Sequence, residues 1–458
     1  MKTYQDLLKA GTTDQALMGF VYSAINDHKG SEMYNIAVTA DEYDRLQNST
    51  IMGYKRLLYK LTGEPVPDYI SANYKLPSKF FNRFVTQQVQ FLLGNGITWD
   101  DRSLESKLGD DFDIRLQEIA KQSLVGGVAF GFFNVDHLEV FKLQEFVPIY
   151  DEENGALMAG IRFWQIEESK PLRATLYQID GVTEYAWRKG AGEVLKPKMS
   201  YKHKRRTTEA DGTEIYDGGN YPTFPIVPLW GNPHKQSELV GIREQIDAYD
   251  LIKSGFANDL NEAAQIYWTI QNAGGMDDID LAKFIERMKV VKAAVVDDQG
   301  STAEAHTIDI PYNAREAILN RLEKDLYKDY MAFNPETVAG GAVTATQIKA
   351  AYEPINSKAD QFEYMIHDFL HGILEVSELK GEATFTRSMI INVQEEIQTL
   401  ILADSYLDED YITEKVLTLL GDKDKVDEVV RNKDKESAGR FDGQGEETDG
   451  QDTEEVGN

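Results

Sequence analysis

From Thr344 to about Ser377 the chain carries a continuous helical pattern, opened by Thr344 and Gln347 at the spacing of a capping box. At ~1.5 Å per residue this is a rod of roughly 50 Å, which any fold for the chain must accommodate. Pro354 lies inside it. A proline removes one backbone donor and crowds the carbonyl four residues earlier, here Ala350, so a kink is expected near this point.

Two further long helices are expected ahead of the rod. Ser237 stands as the N-cap of the first, whose stripe is Leu239, Ile242, Ile246, Tyr249, Ile252, Phe256 and Leu260. Asn313 and Glu316 suggest a capping box for the second, with Ile318, Leu322, Leu326 and Tyr330 every four residues and Asn334-Pro335 as its stop. Between them a small mixed segment is expected: a helix around Asp280 to Met288 and strands at Val290 to Val296 and Ala305 to Ile310. Glu336 to Val343, with Gly340 and Gly341, has little to bury and reads as a mobile loop. A last helical region spans about Gln394 to Leu420. The Gly-, Asp- and Glu-rich tail after Lys433 is too poor in apolar residues to order itself.

The first hundred residues read as mainly helical, with Tyr54, Leu57, Leu58 and Leu61 at helical spacing before the break at Gly63 to Pro67. Ser78 to Leu93 is a buried helix by its stripe of Phe80, Phe81, Phe84, Val85, Val89 and Leu92, ended by Gly94 and Gly96. From Gly126 to about Ile226 short alternating runs such as Phe130 to Val135, Ala159 to Ile166 and Ala174 to Ile179 mark a β-rich region. Its basic cluster, Lys196, Lys198, Lys202, Lys204, Arg205 and Arg206, reads as a solvated hairpin, with nucleic-acid contact as the alternative.

The chain has 458 residues, enough for two to four structural units, and no run of about 18 apolar residues. Met1 to Lys9 lacks the pattern of a secretory signal, so a soluble protein made in the cytoplasm, without a membrane partner, is expected. Cysteine is absent, which removes disulfides, thiolate metal sites and a cysteine nucleophile. The net charge is −29. Residues 422–458 hold 13 acids and 6 bases, so the body is itself acidic. Static gripping of DNA relies on Lys and Arg neutralising phosphates, and this balance argues against it.

Motifs for catalysis are missing. No Gly-Lys dipeptide occurs, so there is no phosphate-cradling G-x-x-x-x-G-K-[ST] loop. Gly94 and Gly96 start a G-x-G, but Trp99 stands where a dinucleotide fingerprint needs its third glycine. Neither H-E-x-x-H nor G-x-S-x-G is present. Glu363, His367, His371 and Glu375 share a helix face at spacings of four, yet four groups on one straight helix cannot all reach one ion, so a solvated or interface face is the expectation. Asp277-Asp278 and Asp297-Asp298 could bind Mg²⁺ as in a nuclease, or serve as acidic turns. No enzymatic activity, cofactor or metal is expected.

The order of parts resembles the portal proteins of long-tailed, non-contractile (siphovirus-type) double-stranded DNA bacteriophages. The resemblance rests on NYKLPSKFFNRFVTQQVQFLLGNGITW at Asn73 to Trp99, on Gln122 to Phe133 with Gly126-Gly127, and on Phe146-Val147-Pro148-Ile149-Tyr150-Asp151. Its most specific stretch is Phe224 to Asn258, where Pro225-Ile226-Val227-Pro228 leads to SELVGIREQIDAYDLIKSGFAND, with Ser237, Ile246-Asp247-Ala248-Tyr249 and Ser254 similar to the start of a first stem helix. Gly340 to Ala345 resembles the loop-to-helix joint.

The resemblance implies an α+β subunit of a ring, usually of twelve copies, around a central channel. It implies an α/β wing at 1–236, stem helices at 237–264 and 313–332, a small α/β clip at 265–312, a tunnel loop at 333–344, the kinked helix at 345–390, a helical crown at 391–432 and an acidic tail at 433–458. The loop candidates facing DNA are Thr337, Val338, Gly340, Gly341, Val343, Thr344 and Lys349; for Lys349 a solvated helix lysine is the alternative. The clip candidates facing a motor or adaptor are Met276, Asp277, Asp278, Asp297 and Asp298. Implied partners are further copies of the chain, the terminase large subunit (an ATPase), a head-tail adaptor, the major capsid and scaffolding proteins, and duplex DNA in weak, non-specific passage. The implied place is the capsid portal vertex of the virion, after assembly in the host bacterial cytoplasm. The roles are nucleating the capsid, packaging, head-tail joining and ejection. A metal-dependent DNA-processing enzyme, or another virion component such as a minor capsid or adaptor protein, is the alternative.

Overall fold

A computed structural model of the chain describes residues 2–431 apart from 61, 70, 189–190, 209–213, 264–266, 272–278, 280–301, 307–310, 340–343, 389–392, 421, 423–424 and 427–428. Among the described residues the contacts form two units: Met1–Phe333 with Pro354–Ser388, and Asn334–Glu353 with Met389–Asn458. No helix among them is long and apolar enough to cross a membrane.

The first unit opens with helices α1 (Tyr4–Ala10), α2 (Asp14–Lys29), α3 (Glu32–Asp44) and α4 (Ser49–Gly53). Thr3 and Asp6 close a reciprocal cap on α1. The expected helical turn at Tyr54 to Leu61 is instead a short antiparallel hairpin, β1 (Leu57–Tyr59) on β2 (Pro65–Pro67), turned at Gly63 with φ +83°. Gly63, Pro65 and Pro67 leave no room for a helix to propagate, and the local pairing wins.

Helix α5 (Phe80–Leu93) follows, buried along the predicted stripe. Its C-cap Gly94 is right-handed, and the left-handed residue is Gly96 at φ +73°. Strand β3 (Ile97–Trp99) and helices α6 (Ser103–Leu108) and α7 (Phe112–Gly126) lead into the β-rich region. Strands β4 (Val128–Asn134), β5 (His137–Lys142), β6 (Phe146–Tyr150), β7 (Leu157–Trp164), β8 (Leu172–Gln178), β9 (Gly181–Arg188), β10 (Ala191–Met199), β11 (Lys202–Thr208), β12 (Glu214–Gly219) and β13 (Ile226–Trp230) confirm it. They form an antiparallel meander β10-β9-β8-β7-β6, a sheet β13-β4-β5 and a ribbon β11-β12.

Two cores result. In the smaller, Phe20, Val21, Ala24 and Ile25 of α2 pack on Val147, Ile149, Ile161, Leu176 and Trp187 of the meander. Alternation along the strands directs one face to the helix and the other to the second core. The larger core joins α3, α5 and α7 to the β13-β4-β5 sheet.

Helices α8 (Arg243–Ala263) and α9 (Tyr312–Tyr330) are the two long helices, separated by β14 (Tyr267–Gln271), which pairs with β15 (Thr302–His306). The strand expected at Ala305 to Ile310 is thus described only to His306, and the helix expected around Asp280 to Met288 and the strand at Val290 to Val296 lie outside the described residues. Helix α10 (Ala345–Ser377) covers the predicted rod, with Pro354 inside it. Thr344 and Gln347 form the expected box: the Gln347 N–H donates to Thr344 Oγ1 at 3.3 Å, and Gln347 Oε1 accepts from the Thr344 N–H at 3.0 Å. From Pro354 onward α10 belongs to the first unit, where Phe362, Ile366, Phe369, Leu370 and Ile373 are buried in the larger core. Strand β16 (Ala383–Phe385) pairs with β3. In the second unit the helical region expected at about Gln394 to Leu420 consists of α11 (Val393–Leu402) and α12 (Glu409–Leu420), with a 3-10 turn at Asp404–Tyr406 between them.

Three helix ends differ from expectation. Ser237 does not cap α8, which starts at Arg243; its hydroxyl accepts the Leu239 N–H at 3.1 Å within the preceding turn. Asn313 does not cap α9, because Pro311 occupies the N-cap and makes no side-chain bond there. Helix α9 ends before Asn334-Pro335, at a left-handed Met331 (φ +63°) whose turn is held by the Ala332 N–H donating to Tyr327 O at 2.9 Å.

Candidate functional site

Helices α8 and α9 run antiparallel. Asp259 pairs with Arg315 near one end, and Gln245 bonds Asp329 near the other, so each step along one helix is matched by an opposite step along the other. Phe256 and Tyr312 add a ring contact at 5.6 Å between centroids.

The base of this pair is locked into the larger core. Tyr330 stacks on Phe84 at 4.8 Å and its hydroxyl donates to Gln88 Oε1 at 2.9 Å. Arg83 donates to Tyr327 Oη at 2.7 Å, and Gln87 exchanges two bonds with the Phe333 backbone. Burial pushes the Tyr330 phenol well above its ordinary range. Beneath the same ring lies the Lys358 ammonium, paired with Glu238 and donating to Tyr330 O at 3.1 Å. Glu238 also accepts from Asn232 at 2.8 Å. One residue from each of three segments therefore meets at the foot of α9.

The buried face of α8 is not the one its apolar stripe indicates. Leu239 and Ile242 in the preceding turn and Ile246 in its first turn are buried, but Leu260 is exposed, while Asp250, Ser254 and Asn258 are buried. These three accept the backbone N–H groups of Ser78, Leu76 and Tyr74 at 2.8, 3.0 and 2.6 Å. Four helical residues rise ~6 Å and two extended residues ~6.6 Å, so a helix read every fourth residue keeps pace with an extended segment read every second. Asn48 donates a further bond to Asp250, whose carboxyl is raised by burial, with Asn48 and Ser78 opposing the shift. One turn earlier Asp247 accepts from Tyr43 and, at 2.8 Å, from Thr50. Hydropathy reading missed this polar ladder; the signal available was the polar spacing 247, 250, 254, 258.

Of the tunnel-loop candidates, Thr337 and Val338 lie in a 3-10 turn, Pro335–Val338, not in an irregular loop. Asn334 accepts the Glu336 N–H at 3.0 Å and Thr337 Oγ1 donates back to Asn334 O at 2.6 Å, which is the reason the turn forms. Thr344 is the cap of α10, and Lys349 is exposed in its first turns. Gly340, Gly341 and Val343 lie outside the described residues, as do Met276, Asp277, Asp278, Asp297 and Asp298. Pro354 falls where the division between the two units cuts α10.

Glu363 is engaged by Arg387 at 2.7 Å, and His367 stands edge-on to Phe385 at 5.0 Å. No group of three or more metal-ligating side chains occurs among the described residues. In the basic cluster Lys196 pairs with Glu184, Lys198 with Asp180, and Lys202 lies over the Tyr221 ring. The side chains of Lys204, Arg205 and Arg206 lie outside the described set.

The family described as phage portal protein, SPP1 Gp6-like, matches residues 42–437. The chain belongs to this family. The portal protein of Clostridium phage phiCD119 is 25% identical over 360 residues, 70% of this chain and 76% of that one. The portal protein of Bacillus phage SPP1 is 24% identical over 378 residues, 76% and 73% of the two chains. Among solved structures, the neck of an empty gene transfer agent particle aligns at 11% identity with a TM-score of 0.43, covering 75% of this chain and 90% of that one. The neck of the native particle aligns at 11% with a TM-score of 0.42, covering 74% and 89%. Portal proteins are structural components of the phage virion, not an enzyme family.

Proposed function

We propose that identical copies of this chain, twelve in the expected form, close into a ring at one capsid vertex, with the α8–α9 pair as the stem around a DNA channel. The observation that carries this reading is the pairing of two long antiparallel helices fixed at one end by the larger core, within a chain of the portal family. A stem of that kind projects from a rigid wing, here residues 1–236, and presents the connecting segment 265–312 as the clip. The clip, with Met276, Asp277, Asp278, Asp297 and Asp298, is the surface offered first to the terminase ATPase and later to a head-tail adaptor.

An acidic lining repels phosphate, so a duplex meets no deep electrostatic well in which to stall. The tunnel loop at 333–344, including Thr337, Val338, Gly340, Gly341, Val343 and Thr344, is the narrow place, and Lys349 supplies transient phosphate contact. Pro354 kinks the helix behind it. Residues 391–432 form the crown facing the capsid interior. With no phosphate-cradling loop in the sequence, the energy for packaging comes from the partner ATPase. The ring also gives the major capsid and scaffolding proteins a nucleus for assembly in the host cytoplasm, and later an exit for ejected DNA.

Native mass spectrometry with end-on electron micrographs tests the reading. A closed ring near twelve copies with a central hole is expected, and a chain that stays monomeric under every assembly condition overturns it. Incubation with duplex DNA and Mg²⁺ is expected to leave the DNA intact; cleavage at catalytic protein levels would support the enzyme alternative.

A further inference from the structure

Helix α9 carries two charges that the described residues leave unanswered. Lys324 and Lys328 are exposed, and among those residues their side chains make neither an ion pair nor a hydrogen bond. The carboxylates of the same stretch are engaged elsewhere: Asp325 pairs with Arg321 at 2.8 Å, Asp329 accepts from Gln245 of α8, and the charge of Glu323 acts on Tyr249 of α8. Spacings of three and four put Arg321, Lys324 and Lys328 within a sector of ~60° on the helix. The buried Leu326 and Tyr330 lie on the opposite side. Like charges four apart on a helix repel each other, and α9 carries that cost in a chain of net charge −29, where carboxylates are plentiful. An external anion on this sector removes the repulsion.

The other helix of the pair has no such face. Helix α8 is held by α9 through Asp259 and by residues 74–78 through its polar ladder, and its charged residues are mainly acids: Glu244, Asp247, Asp250, Asp259 and Glu262 against Arg243 and Lys253.

The chemistry of the free pair selects the anion. Two ammoniums separated by ~6 Å of helix rise suit a polyanion, and duplex DNA presents one negative charge per ~1.7 Å of its axis. A lysine head is a point charge on a flexible stem and holds phosphate without a fixed geometry, as a moving duplex requires. Arg321, whose planar fork would grip an anion in one place, is the member of the trio already taken by Asp325.

We infer that this face of α9 is the channel wall of the stem, where Lys324 and Lys328 touch the phosphate backbone of the passing duplex. The inference rests on the ring reading given above and names the side of the stem that looks inward.

Because the chain has no cysteine, Lys324→Cys in the full-length protein carries a unique thiol. It is labelled with a benzophenone maleimide, and the purified ring is irradiated with a short blunt duplex at low salt. Covalent capture of the duplex is expected. Capture of a neighbouring copy, or of neither, overturns the assignment of this face and leaves the ring standing. In parallel, Lys324→Gln/Lys328→Gln is expected to weaken duplex binding by the ring about tenfold at low salt and to flatten its salt dependence. Lys9→Gln/Lys170→Gln, at two exposed lysines elsewhere, is expected to change neither. Equal effects from the two double variants overturn the assignment as well. Failure of the unsubstituted chain to form a ring overturns both readings.

Discussion

The Lys358 ammonium lies 3.4 Å from the centroid of the Tyr330 ring. Its other partners are Glu238 and the Tyr330 carbonyl, and both charged side chains are at most 15% exposed. Burial lowers the Lys358 pKa, and Glu238 opposes that shift. Removing one member of such a pair strands the other charge without its partner, at a cost of about 3–5 kcal/mol. Lys358→Ala is therefore expected to lower unfolding free energy by that order. The double variant with Glu238→Gln is expected to recover part of it. Urea denaturation of the four proteins in a double-mutant cycle measures the coupling.

The ladder on α8 makes a second prediction. Ser254→Ala and Asn258→Ala each leave a backbone N–H of the 74–78 segment without its acceptor, a loss of about 1–3 kcal/mol where the donor stays buried. Denaturant midpoints should fall for both. Hydrogen exchange at Leu76 and Tyr74 should accelerate in the corresponding variant, which distinguishes a lost acceptor from general destabilisation.

His28 ties α2 to the segment after β5, with Nε2 donating to Leu143 O at 2.8 Å. Burial lowers its pKa, so the folded state resists the proton that the unfolded state accepts below about 6.5. The stability contributed by neutral His28 is complete above that value and is lost as the pH falls toward the depressed folded value. Melting temperature should drop between pH 7 and 5, and His28→Gln, which keeps a donor for Leu143, should flatten the slope.

Gly131 in β4 faces the tip of Phe369 from α10; a Cβ there would lie 2.6 Å from Phe369 Cζ. Gly131→Ala is expected to cost about 1–3 kcal/mol through overpacking. Pairing it with Phe369→Leu should return part of the loss, read from thermal melts.

Elements defined by repeated apolar spacing or by a local cap were legible in the sequence: α5, the alternating strands, and α10 from Thr344 to Ser377. Their signals are local and strong. The Leu57–Tyr59 hairpin was not, because apolar residues at positions 54, 57, 58 and 61 also fit a helix, and periodicity cannot discriminate in so short a run. The end of α9 at Met331 was missed because a non-glycine residue in the left-handed region leaves no compositional mark. Asp250, Ser254 and Asn258 were hidden for a different reason: hydropathy assigns polar residues to solvent, and only the position of a segment about 180 residues away buries them.

Asp250, Ser254 and Asn258 on α8 each accept a main-chain amide of 74–78. The rungs at 74 and 76 therefore do not depend on the side chains carried there, with one prohibition. A proline at 74, 76 or 78 would erase a rung, whereas Pro77 falls between rungs and costs none, so the permitted phase for that residue is written into the helix opposite.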